Sequence, residues 1–454
     1  MEGLLEELAV ALPKGALVTD PDIVESYRND RSNAGNAGVP LAVVRAESTG
    51  DVQATLRWAS AHRVPVVARG AGTGLAGGSL AIDGCVTIST ERMRAIQIDE
   101  RASVAIAQPG ALNVEVKQAA QRYGLWYPPD PSSFEICSIG GNVATNAGGL
   151  CCVKYGVTTD HVLGIEVVLA DGTALRLGGR AVKDVAGYDL KRLFVGSEGT
   201  LGIITEAVLR LRPAPPPSVT LAATFEDAEA AGRAISAIAA SWRPSALELM
   251  DRTSVRAVEA MLHMGLDESC GALLIGRSDA GGSRAAEELE AMISMCRDEG
   301  ATEVSFTDDE EEGELFMTAR RSAIPAVERY GTVLIEDVGV PISRVADLVS
   351  GIERISEENQ TVIATIGHAG DGNFHPLVVF DRDDDQAVKR ATVAFGLVMD
   401  LALELGGVVT GEHGVGTLKL PWLRPQLGDD VMELSRRIKQ TLDPLGILNP
   451  GKAI

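Results

Sequence analysis

The residues best suited to chemistry are histidines near the end of the chain. The 454-residue sequence has six of them: His62, His161, His263, His368, His375 and His413. His368 and His375 are seven positions apart. On an α-helix that spacing is a rise of about 10 Å, too far for both side chains to bind one metal ion. Gly370 and Gly372 lie between them and predict a tight loop instead, which can bring the two imidazoles together.

A carboxylate and a third imidazole follow in the segment Gly411-Glu412-His413-Gly414. Neighbouring side chains of an extended chain point in opposite directions, so Glu412 and His413 should not bind the same ion. One of them can be a ligand while the other faces a substrate. Each histidine taken alone is more simply explained as a core or loop residue with satisfied hydrogen bonds. The set lies close to two carboxylates, Asp371 and Glu412, and this favours a metal site.

The densest glycine cluster covers residues 69–79 and contains Gly72, Gly74 and Gly77 in a G-x-G-x-x-G spacing. A Rossmann loop must open a helix whose N-terminus holds a pyrophosphate, whereas this segment runs on into a β-rich stretch. The Gly-Lys-Ser/Thr of a Walker loop is also absent from the sequence. Two interpretations remain: a flexible glycine turn, or a nest of backbone N–H groups that binds a pyrophosphate without a helix.

Two further glycine-rich segments, residues 140–149 and 196–204, favour the second interpretation. We interpret both as loops. Glycines allow the backbone to approach a large flat cofactor closely, and the Asn and Thr residues among them can hydrogen-bond a polar heterocycle.

The hydrophobic pattern predicts the elements that must position these segments. Before residue 212 it predicts a helix over 51–63 capped by Ser48 or Thr49, strands over 64–68, 84–89 and 102–107, a helix over 113–123, and a hairpin over 161–177 that turns at Asp171-Gly172. The proline-rich stretch 212–217 is the clearest linker and predicts a domain boundary.

After the linker, strands alternate with long helices. The pattern predicts strands over 218–224, 271–277, 302–306 and 332–340, and helices over 226–241, 283–299, 311–330 and 429–441. This alternation indicates an α+β domain whose sheet carries helices on one face.

Composition narrows the possible functions. With 41 basic and 63 acidic residues the net charge is −22, so nucleic acids and anionic lipid surfaces are poor partners. No apolar run is long enough to span a membrane, and the acidic N-terminus lacks the features of a signal peptide. The six cysteines form no C-x-x-C pair, which argues against zinc-ribbon or iron–sulfur ligation and fits a cytoplasmic protein.

The three glycine-rich segments resemble the FAD-binding domain of the vanillyl-alcohol-oxidase and p-cresol-methylhydroxylase (PCMH) superfamily. Nearly the whole chain is similar to its D-2-hydroxyacid dehydrogenase branch, which includes the glycolate oxidase D subunit, D-lactate dehydrogenase and D-2-hydroxyglutarate dehydrogenase. The resemblance implies an α+β fold with a PCMH-type FAD-binding domain over 1–215. It also implies an α+β substrate or cap domain with an antiparallel sheet and helices over 216–410, and a C-terminal segment over 411–454 that returns to the flavin and completes the active site.

The resemblance implies a set of FAD-binding residues, of which those in the first segment wrap the pyrophosphate. The set is Arg69, Gly70, Ala71, Gly72, Thr73, Gly74, Leu75, Gly77, Gly78, Ser79, Ser132, Ser138, Gly141, Thr145, Asn146, Glu198, Gly199, Leu201, Gly202, Ile203, Ile204 and Asn449. Some relatives attach FAD covalently through a histidine in the first segment. Thr73 occupies that position here, so we expect non-covalent FAD.

For the C-terminal half, the resemblance implies His368, His375 and Glu412 as ligands of a divalent metal, with zinc expected, and His413 as the catalytic base. It places Arg320 on the substrate carboxylate, which a planar guanidinium can bind through two hydrogen bonds. We interpret the neighbouring Arg321 as a surface residue beside the acidic run 308–312.

The expected activity is FAD-dependent oxidation of a small D-2-hydroxy acid, D-lactate or glycolate, to the 2-keto acid, with hydride transfer to flavin N5. Ile324, Ile335 and Leu377 stand where the hydroxyglutarate branch has polar residues, so a second substrate carboxylate would be buried without a partner. A D-2-hydroxyglutarate dehydrogenase and a non-catalytic flavoprotein subunit of a glycolate oxidase complex remain alternatives. A redox-neutral synthase of the superfamily is disfavoured, because the sequence has no His-His pair.

The sequence does not specify the electron acceptor. The relatives allow a quinone, an electron-transfer flavoprotein, a cytochrome or a partner subunit. Peripheral association with the inner membrane through that acceptor is compatible with the sequence, and so is a homodimer.

Overall fold

The computed structural model of the chain describes residues 2–32, 35 and 37–454. In chain order the strands are β1 (Leu17–Val18), β2 (Ala42–Arg45), β3 (Val66–Arg69), β4 (Val86–Ser89), β5 (Ile96–Asp99), β6 (Val104–Ala107), β7 (Leu125–Trp126), β8 (Val162–Val168), β9 (Ala174–Gly178), β10 (Ile203–Arg210), β11 (Arg212–Pro213), β12 (Val219–Phe225), β13 (Ala246–Asp251), β14 (Ala272–Ser278), β15 (Ala301–Thr307), β16 (Thr332–Ile335), β17 (Val338–Gly339), β18 (Ile363–His368) and β19 (Asn373–Phe380). The α-helices are α1 (Glu2–Ala11), α2 (Pro21–Glu25), α3 (Thr49–His62), α4 (Asn113–Gln121), α5 (Ile139–Thr145), α6 (Cys152–Tyr155), α7 (Thr158–His161), α8 (Leu190–Phe194), α9 (Ala228–Ser241), α10 (Arg252–Leu262), α11 (Gly282–Asp298), α12 (Glu310–Arg321), α13 (Ala323–Val327), α14 (Val345–Glu358), α15 (Asp385–Glu404), α16 (Leu420–Leu427) and α17 (Asp429–Leu442). Short 3-10 helices cover Glu328–Tyr330 and Ile342–Arg344.

The described residues form two compact units. The first combines residues 1–148, 156–214 and 412–454, and the second combines residues 149–155 and 215–411. The units divide at the predicted linker, next to the boundary that the sequence analysis placed after residue 215. Residues 412–454, which the sequence analysis set apart as a segment of their own, pack within the first unit, where the backbone N–H of Asn449 donates to Val66 O of β3.

The first unit begins with a small sheet of order β1-β2-β4-β3, in which β2, β4 and β3 run parallel. Helix α3 connects β2 to β3 and packs its apolar residues against this sheet. Ser48 caps the helix in a reciprocal capping box with Asp51, which satisfies two of the backbone N–H groups at the helix start. The predicted helix is confirmed, although it begins two residues earlier than expected, at Thr49.

A second sheet in this unit has the order β5-β6-β10-β8-β9 and is antiparallel. The predicted hairpin is present as β8 and β9, which turn around Asp171-Gly172, and Gly172 adopts a positive φ of 81°. Buried side chains of α4 and α5 pack against this sheet and form its core.

One prediction about the glycine clusters is wrong. The segment 140–149 was expected to be a loop, but its first half forms the short helix α5. Ser138 makes this possible, because its hydroxyl oxygen accepts a hydrogen bond from the backbone N–H of Gly141 and caps the helix start. Gly140 fits its position because a Cβ there would lie 2.5 Å from Pro109 Cβ. The glycine therefore permits close packing of a helix and does not mark a loop.

The second unit is built on one antiparallel sheet of order β15-β12-β14-β13-β18-β19-β16, with β17 also paired to β19. Helices α9, α11, α14 and α15 pack side by side as a layer, and Met292 of α11 approaches the sheet next to Gly276. Helix α12 lies on the opposite face, where Gly313 meets Thr220. The α+β architecture is confirmed, but helices lie on both faces of the sheet rather than on one.

The helix predicted over 311–330 is broken into α12, α13 and a 3-10 turn. Pro325 has no N–H to donate to the carbonyl of Arg321, four residues earlier, so a continuous α-helix loses a hydrogen bond at this point. The break falls directly after Arg320 and Arg321, which end α12.

Among the described residues, none of the helices combines the length and the apolar character that crossing a lipid bilayer requires.

The buried carboxyl of Asp251 ends the central strand β13 and caps α10. Burial raises the pKa of Asp251 from 3.8 to about 6, against hydrogen bonds from Ser254 that lower it, and the nearby Glu353 raises it further. Between pH 3.8 and 6 the folded protein therefore holds a proton that the unfolded chain has released. Rising pH through that window lowers the free energy of unfolding.

We predict that Asp251→Asn, which keeps the cap but carries no charge, is more stable than the original protein at pH 7.5 by on the order of 2 kcal/mol. The difference should shrink as the pH falls towards 4. Thermal unfolding at pH 4, 5.5 and 7.5 measures this. An Asn variant that is less stable at pH 7.5, or a difference that does not change with pH, would contradict the assignment.

Candidate active site

In the first unit, strand β3 leads into the glycine-rich segment, and residues 70–85 contain no helix. Gly72 and Gly77 adopt positive φ angles of 73° and 84°, which suit glycine. A Cβ on Gly70 would lie 2.3 Å from Ser138 Oγ, and this hydroxyl also lies 3.3 Å from the donating backbone N–H of Ala71. The glycine segment therefore packs directly on the start of α5. Because no helix directly follows the segment, it is not a Rossmann loop.

Glu198 connects the glycine segment to the end of the chain. Its carboxylate accepts hydrogen bonds from the backbone N–H groups of Val415 at 2.7 Å and Gly416 at 2.9 Å. Asn449 donates through Nδ2 to the carbonyl oxygens of Gly78 at 2.9 Å and Glu198 at 2.7 Å. Burial raises the pKa of Glu198 despite these N–H donors. The glycine segment, the third glycine-rich segment and the C-terminal residues are thus tied by one hydrogen-bond network.

Other members of the predicted FAD-binding set have structural partners. Thr145 donates from its hydroxyl to Gly141 O at 3.1 Å, and Asn146 Oδ1 accepts from the backbone N–H of Thr159 at 2.8 Å. The side chains of three members pack in the apolar cores: Leu201, Ile203 and Ile204. Ser132 is exposed in the turn before α5.

The geometry of this region fits a large polar cofactor. Backbone at Gly70 and Gly78 lies too close to neighbouring side chains for a Cβ, since a Cβ on Gly78 would lie 2.8 Å from Glu198 Oε2. Asn449 Oδ1 is buried and lacks a hydrogen-bond partner among residues 2–32, 35 and 37–454. A buried acceptor of this kind costs free energy unless a bound group satisfies it.

In the second unit, the tight turn predicted between His368 and His375 is confirmed. Strands β18 and β19 form an antiparallel hairpin in which His375 lies opposite Ile366, and Gly372 in the turn has a φ of 79°. His368 lies two residues beyond Ile366, so both histidines project from the same face. Their ring centroids are 5.1 Å apart, and each residue is only 3% exposed.

Each of these histidines faces a buried carboxylate through its Nδ1 atom. Glu248 in β13 has its two oxygens 2.9 and 3.0 Å from Nδ1 of His368. Asp337 has Oδ1 3.7 Å from Nδ1 of His375. Both carboxylates are 0% exposed. Histidines that bind metals usually direct one ring nitrogen at such a carboxylate, which leaves the other nitrogen, here Nε2, for the ion.

Asp337 also hydrogen-bonds the backbone just before Glu412 and His413, the next two residues of the predicted site. Its carboxylate accepts from Asn373 Nδ2 at 2.9 Å, Thr410 Oγ1 at 2.7 Å and the backbone N–H of Gly411 at 2.9 Å. Glu412 follows Gly411 directly and opens the last segment of the first unit. Within that segment His413 Nε2 lies 3.7 Å from Glu412 Oε1.

Arg320 and Arg321 differ sharply in environment. Arg320 is 1% exposed, and its Nε lies 2.8 Å from Glu248 Oε2. Its Nη2 has no hydrogen-bond partner in the described part of the chain. Arg321 pairs with Glu314, and its side chain is 27% exposed. Arg320 therefore keeps a buried donor for a ligand, whereas Arg321 is a residue of the helix surface.

The sequence analysis missed Glu248 and Asp337. Both had a signal, because each is an acidic residue inside an apolar strand pattern: Ala-Leu-Glu-Leu-Met for Glu248 and Leu-Ile-Glu-Asp-Val for Asp337. Carboxylates in buried strands are rare unless they are paired. The partner of each lies more than 35 residues away in sequence, so only the strand pairing reveals it.

Comparison with known proteins identifies the family of the chain. Residues 40–178 match the family model of the FAD binding domain, and residues 214–453 match that of the C-terminal domain of FAD linked oxidases. The glycolate oxidase subunit GlcD of Bacillus subtilis (strain 168) is 41% identical over 441 residues, which cover 96% of this chain and 92% of that protein. The D-lactate dehydrogenase of Anaerostipes hadrus is 34% identical over 463 residues, which cover 99% and 96%.

The chain belongs to the FAD-linked D-2-hydroxyacid dehydrogenase branch of the PCMH-type superfamily. It is an FAD-dependent oxidoreductase. Its fold is that of p-cresol methylhydroxylase, whose structure with substrate bound aligns with a TM-score of 0.83 at 18% identity and covers 100% of this chain and 96% of that one. The PCMH-type architecture expected from the sequence is confirmed.

We predict that Gly70→Ala weakens FAD binding by roughly 10- to 100-fold, because the added methyl would overlap Ser138 Oγ and displace the glycine segment from α5. Gly179→Ala is the control in the same unit, since Gly179 is not in the predicted FAD-binding set and an added Cβ there would have nothing within 4 Å. Titration of apoprotein with FAD, followed by flavin fluorescence, gives both affinities. Equal affinities for the two variants would contradict the proposed place of the cofactor.

Proposed function

We propose that the protein oxidises a small D-2-hydroxy acid, D-lactate or glycolate, to the corresponding 2-keto acid. The observation that carries the proposal is the buried Arg320, whose Nη2 is available to a ligand beside two histidines that buried carboxylates orient. An α-hydroxycarboxylate offers the anion that a guanidinium binds and the hydroxyl oxygen that a metal site binds. The names of the relatives, glycolate oxidase subunit and D-lactate dehydrogenase, support this substrate class.

The first unit would hold FAD through residues 69–79, the start of α5, residues 198–204 and Asn449. Backbone N–H groups of the glycine segment suit the pyrophosphate, and Asn449 Oδ1 is an acceptor in need of a donor. FAD, when bound, supplies the hydride acceptor at flavin N5. Thr73 carries no nitrogen nucleophile, which supports non-covalent binding.

His368, His375 and Glu412 would hold a divalent metal, with zinc as our choice. Two neutral imidazoles and one carboxylate suit zinc and leave a coordination position for substrate oxygens. The ion, when bound, supplies a positive charge that favours loss of the substrate hydroxyl proton. Glu248 would keep the hydrogen of the His368 imidazole on Nδ1 and so direct Nε2 of that ring to the ion, and Asp337 lies on the Nδ1 side of His375.

The remaining roles fall to Arg320 and His413. Arg320 would bind the substrate carboxylate through the edge of the guanidinium that Glu248 does not contact. His413 would accept the hydroxyl proton as the carbon–hydrogen bond breaks. Since Glu412 and His413 are adjacent, one side chain can serve the ion and the other the substrate.

The substrate tail should be small and without charge. Ile335 and Leu377 are paired across β16 and β19, and Leu377 lies on the same face as His375, two residues away. Both are buried, and Ile324 lies on α13, just beyond the end of the helix that carries Arg320. Burying a second carboxylate among such side chains without a partner would be costly. This disfavours D-2-hydroxyglutarate.

The electron acceptor is proposed only by class: a quinone, an electron-transfer flavoprotein, a cytochrome or a partner subunit. No disulfide bond joins any of the described cysteines, which supports a cytoplasmic location.

Anaerobic mixing of the FAD-loaded protein with candidate substrates tests the proposal. We expect D-lactate or glycolate to bleach the oxidised flavin, and D-2-hydroxyglutarate to do so much more slowly because its second carboxylate finds no partner. Stopped-flow absorbance measures each rate. Absence of bleaching with every α-hydroxy acid would defeat the function, and fastest bleaching with D-2-hydroxyglutarate would replace the substrate.

We predict that His413→Ala slows flavin reduction by about 10²- to 10⁴-fold while FAD stays bound, because the variant lacks the base. His62→Ala is the control, since His62 belongs to the same unit and makes a surface ion pair with Glu7. Single-turnover reduction with saturating D-lactate measures both variants. An unchanged rate for His413→Ala would remove His413 as the base.

A further inference from the structure

Glu248 occupies an unusual position for a carboxylate. It lies in β13, in the interior of the eight-stranded sheet, between Leu247 and Leu249, and it is 0% exposed. Transfer of an ionised carboxylate from water into such a place is costly unless partners compensate for the lost hydration. An apolar residue would fit the strand pattern, so the presence of Glu at this position calls for a reason.

Two cationic or proton-donating side chains compensate for this burial. In the sheet register Glu248 lies directly opposite His368 of β18, and its two oxygens lie 2.9 and 3.0 Å from Nδ1. From the other side, Arg320 of α12 brings Nε to 2.8 Å from Oε2. One carboxylate therefore contacts both a predicted metal ligand and the predicted substrate-binding arginine.

Each contact of Glu248 restricts its partner: one restricts the position of the hydrogen on the His368 imidazole, and the other restricts the orientation of the Arg320 guanidinium. A neutral imidazole carries its hydrogen on either nitrogen, and a carboxylate at Nδ1 keeps the hydrogen there, so that Nε2 has a free lone pair. A guanidinium sits on a long flexible stem, and the contact at Nε holds it beside Glu248, while its buried Nη2 has no hydrogen-bond partner in the described part of the chain. Asp337 lies 3.7 Å from His375 Nδ1, which is beyond hydrogen-bond distance, and its hydrogen bonds go to Asn373, Thr410 and Gly411.

We propose that Glu248 is a positioning residue that couples the metal site to the substrate-carboxylate site by fixing His368 and Arg320 relative to each other. The proposal rests on the proposed function, because it takes His368 as a metal ligand and Arg320 as the carboxylate binder. It differs from a purely structural role. A buried ion pair that only stabilises the fold would affect the unfolding temperature and leave metal affinity and KM unchanged.

The test is Glu248→Gln in the FAD-loaded protein with zinc. The amide keeps the size of the side chain but removes the charge that pairs with Arg320, and its NH₂ group favours the His368 imidazole form with the hydrogen on Nε2. We expect zinc affinity to fall by roughly 10- to 100-fold in competition with a chelator, read as zinc per protein by mass spectrometry. We also expect KM for D-lactate to rise, because Arg320 loses its orientation.

Two further variants separate positioning from stability. Glu288→Gln is the matched control, since Glu288 is also buried in the second unit and bonds to Ser278, away from the histidines. It should lose stability without losing zinc. Glu248→Asp keeps the charge on a shorter side chain, and we expect its zinc affinity to lie between those of the original protein and Glu248→Gln. If Glu248→Gln does not fold, the Asp variant alone decides by its zinc affinity.

The outcomes distinguish this inference from the function on which it rests. If the original protein binds zinc and its flavin is bleached by D-lactate, but Glu248→Gln keeps both zinc affinity and KM, Glu248 is only structural and the inference is wrong. If the original protein itself retains no divalent metal and no α-hydroxy acid bleaches its flavin, the proposed function fails first. Weaker zinc binding together with a KM for D-lactate that stays raised at saturating zinc in Glu248→Gln, with neither change in Glu288→Gln, supports the coupling.

Discussion

Buried carboxylates that face histidine Nδ1 atoms are the interaction on which the rest of the proposed site depends. A histidine offers a lone pair to an ion only when its hydrogen is on the other nitrogen, and in a dry interior that choice needs a fixed partner. Glu248 is that partner for His368, and Asp337 lies 3.7 Å from Nδ1 of His375; both carboxylates are 0% exposed. Glu248 also contacts Nε of Arg320. The orientation of the His368 imidazole and that of the Arg320 guanidinium therefore depend on one buried charge.

The first unit relies on a different constraint, the absence of side chains. Gly70 and Gly78 bring backbone within a distance of Ser138 and Glu198 at which no Cβ fits. Asn449, near the end of the chain, then bonds to both the glycine segment and Glu198. Cofactor binding in this unit is therefore proposed to depend on backbone geometry, whereas the second unit contributes charged side chains in fixed orientations.

Sequence reasoning succeeded where the signal was local. The helix cap at Ser48 or Thr49, the hairpin at Asp171-Gly172 and the tight turn between the two histidines each depend on residues a few positions apart, and each was predicted; the structure shows Ser48 as the cap. It failed at residues 140–149, because glycines occur both in loops and in closely packed helices. Ser138 caps α5, so the first half of the expected loop is a helix. It also missed Glu248, because the residue acquires its role from a strand 120 positions later. The family resemblance predicted the ligands and the arginine, but it did not predict what orients them.

The most direct test of the account is the ligand environment of the metal itself. X-ray absorption at the zinc edge of the fully loaded protein should show two imidazole nitrogens at about 2.0–2.1 Å together with oxygen ligands, and substitution of His375 by Ala should remove one imidazole. Zinc bound without imidazole, or bound identically in the His375→Ala variant, would contradict the claim that the oriented histidine pair is a metal site.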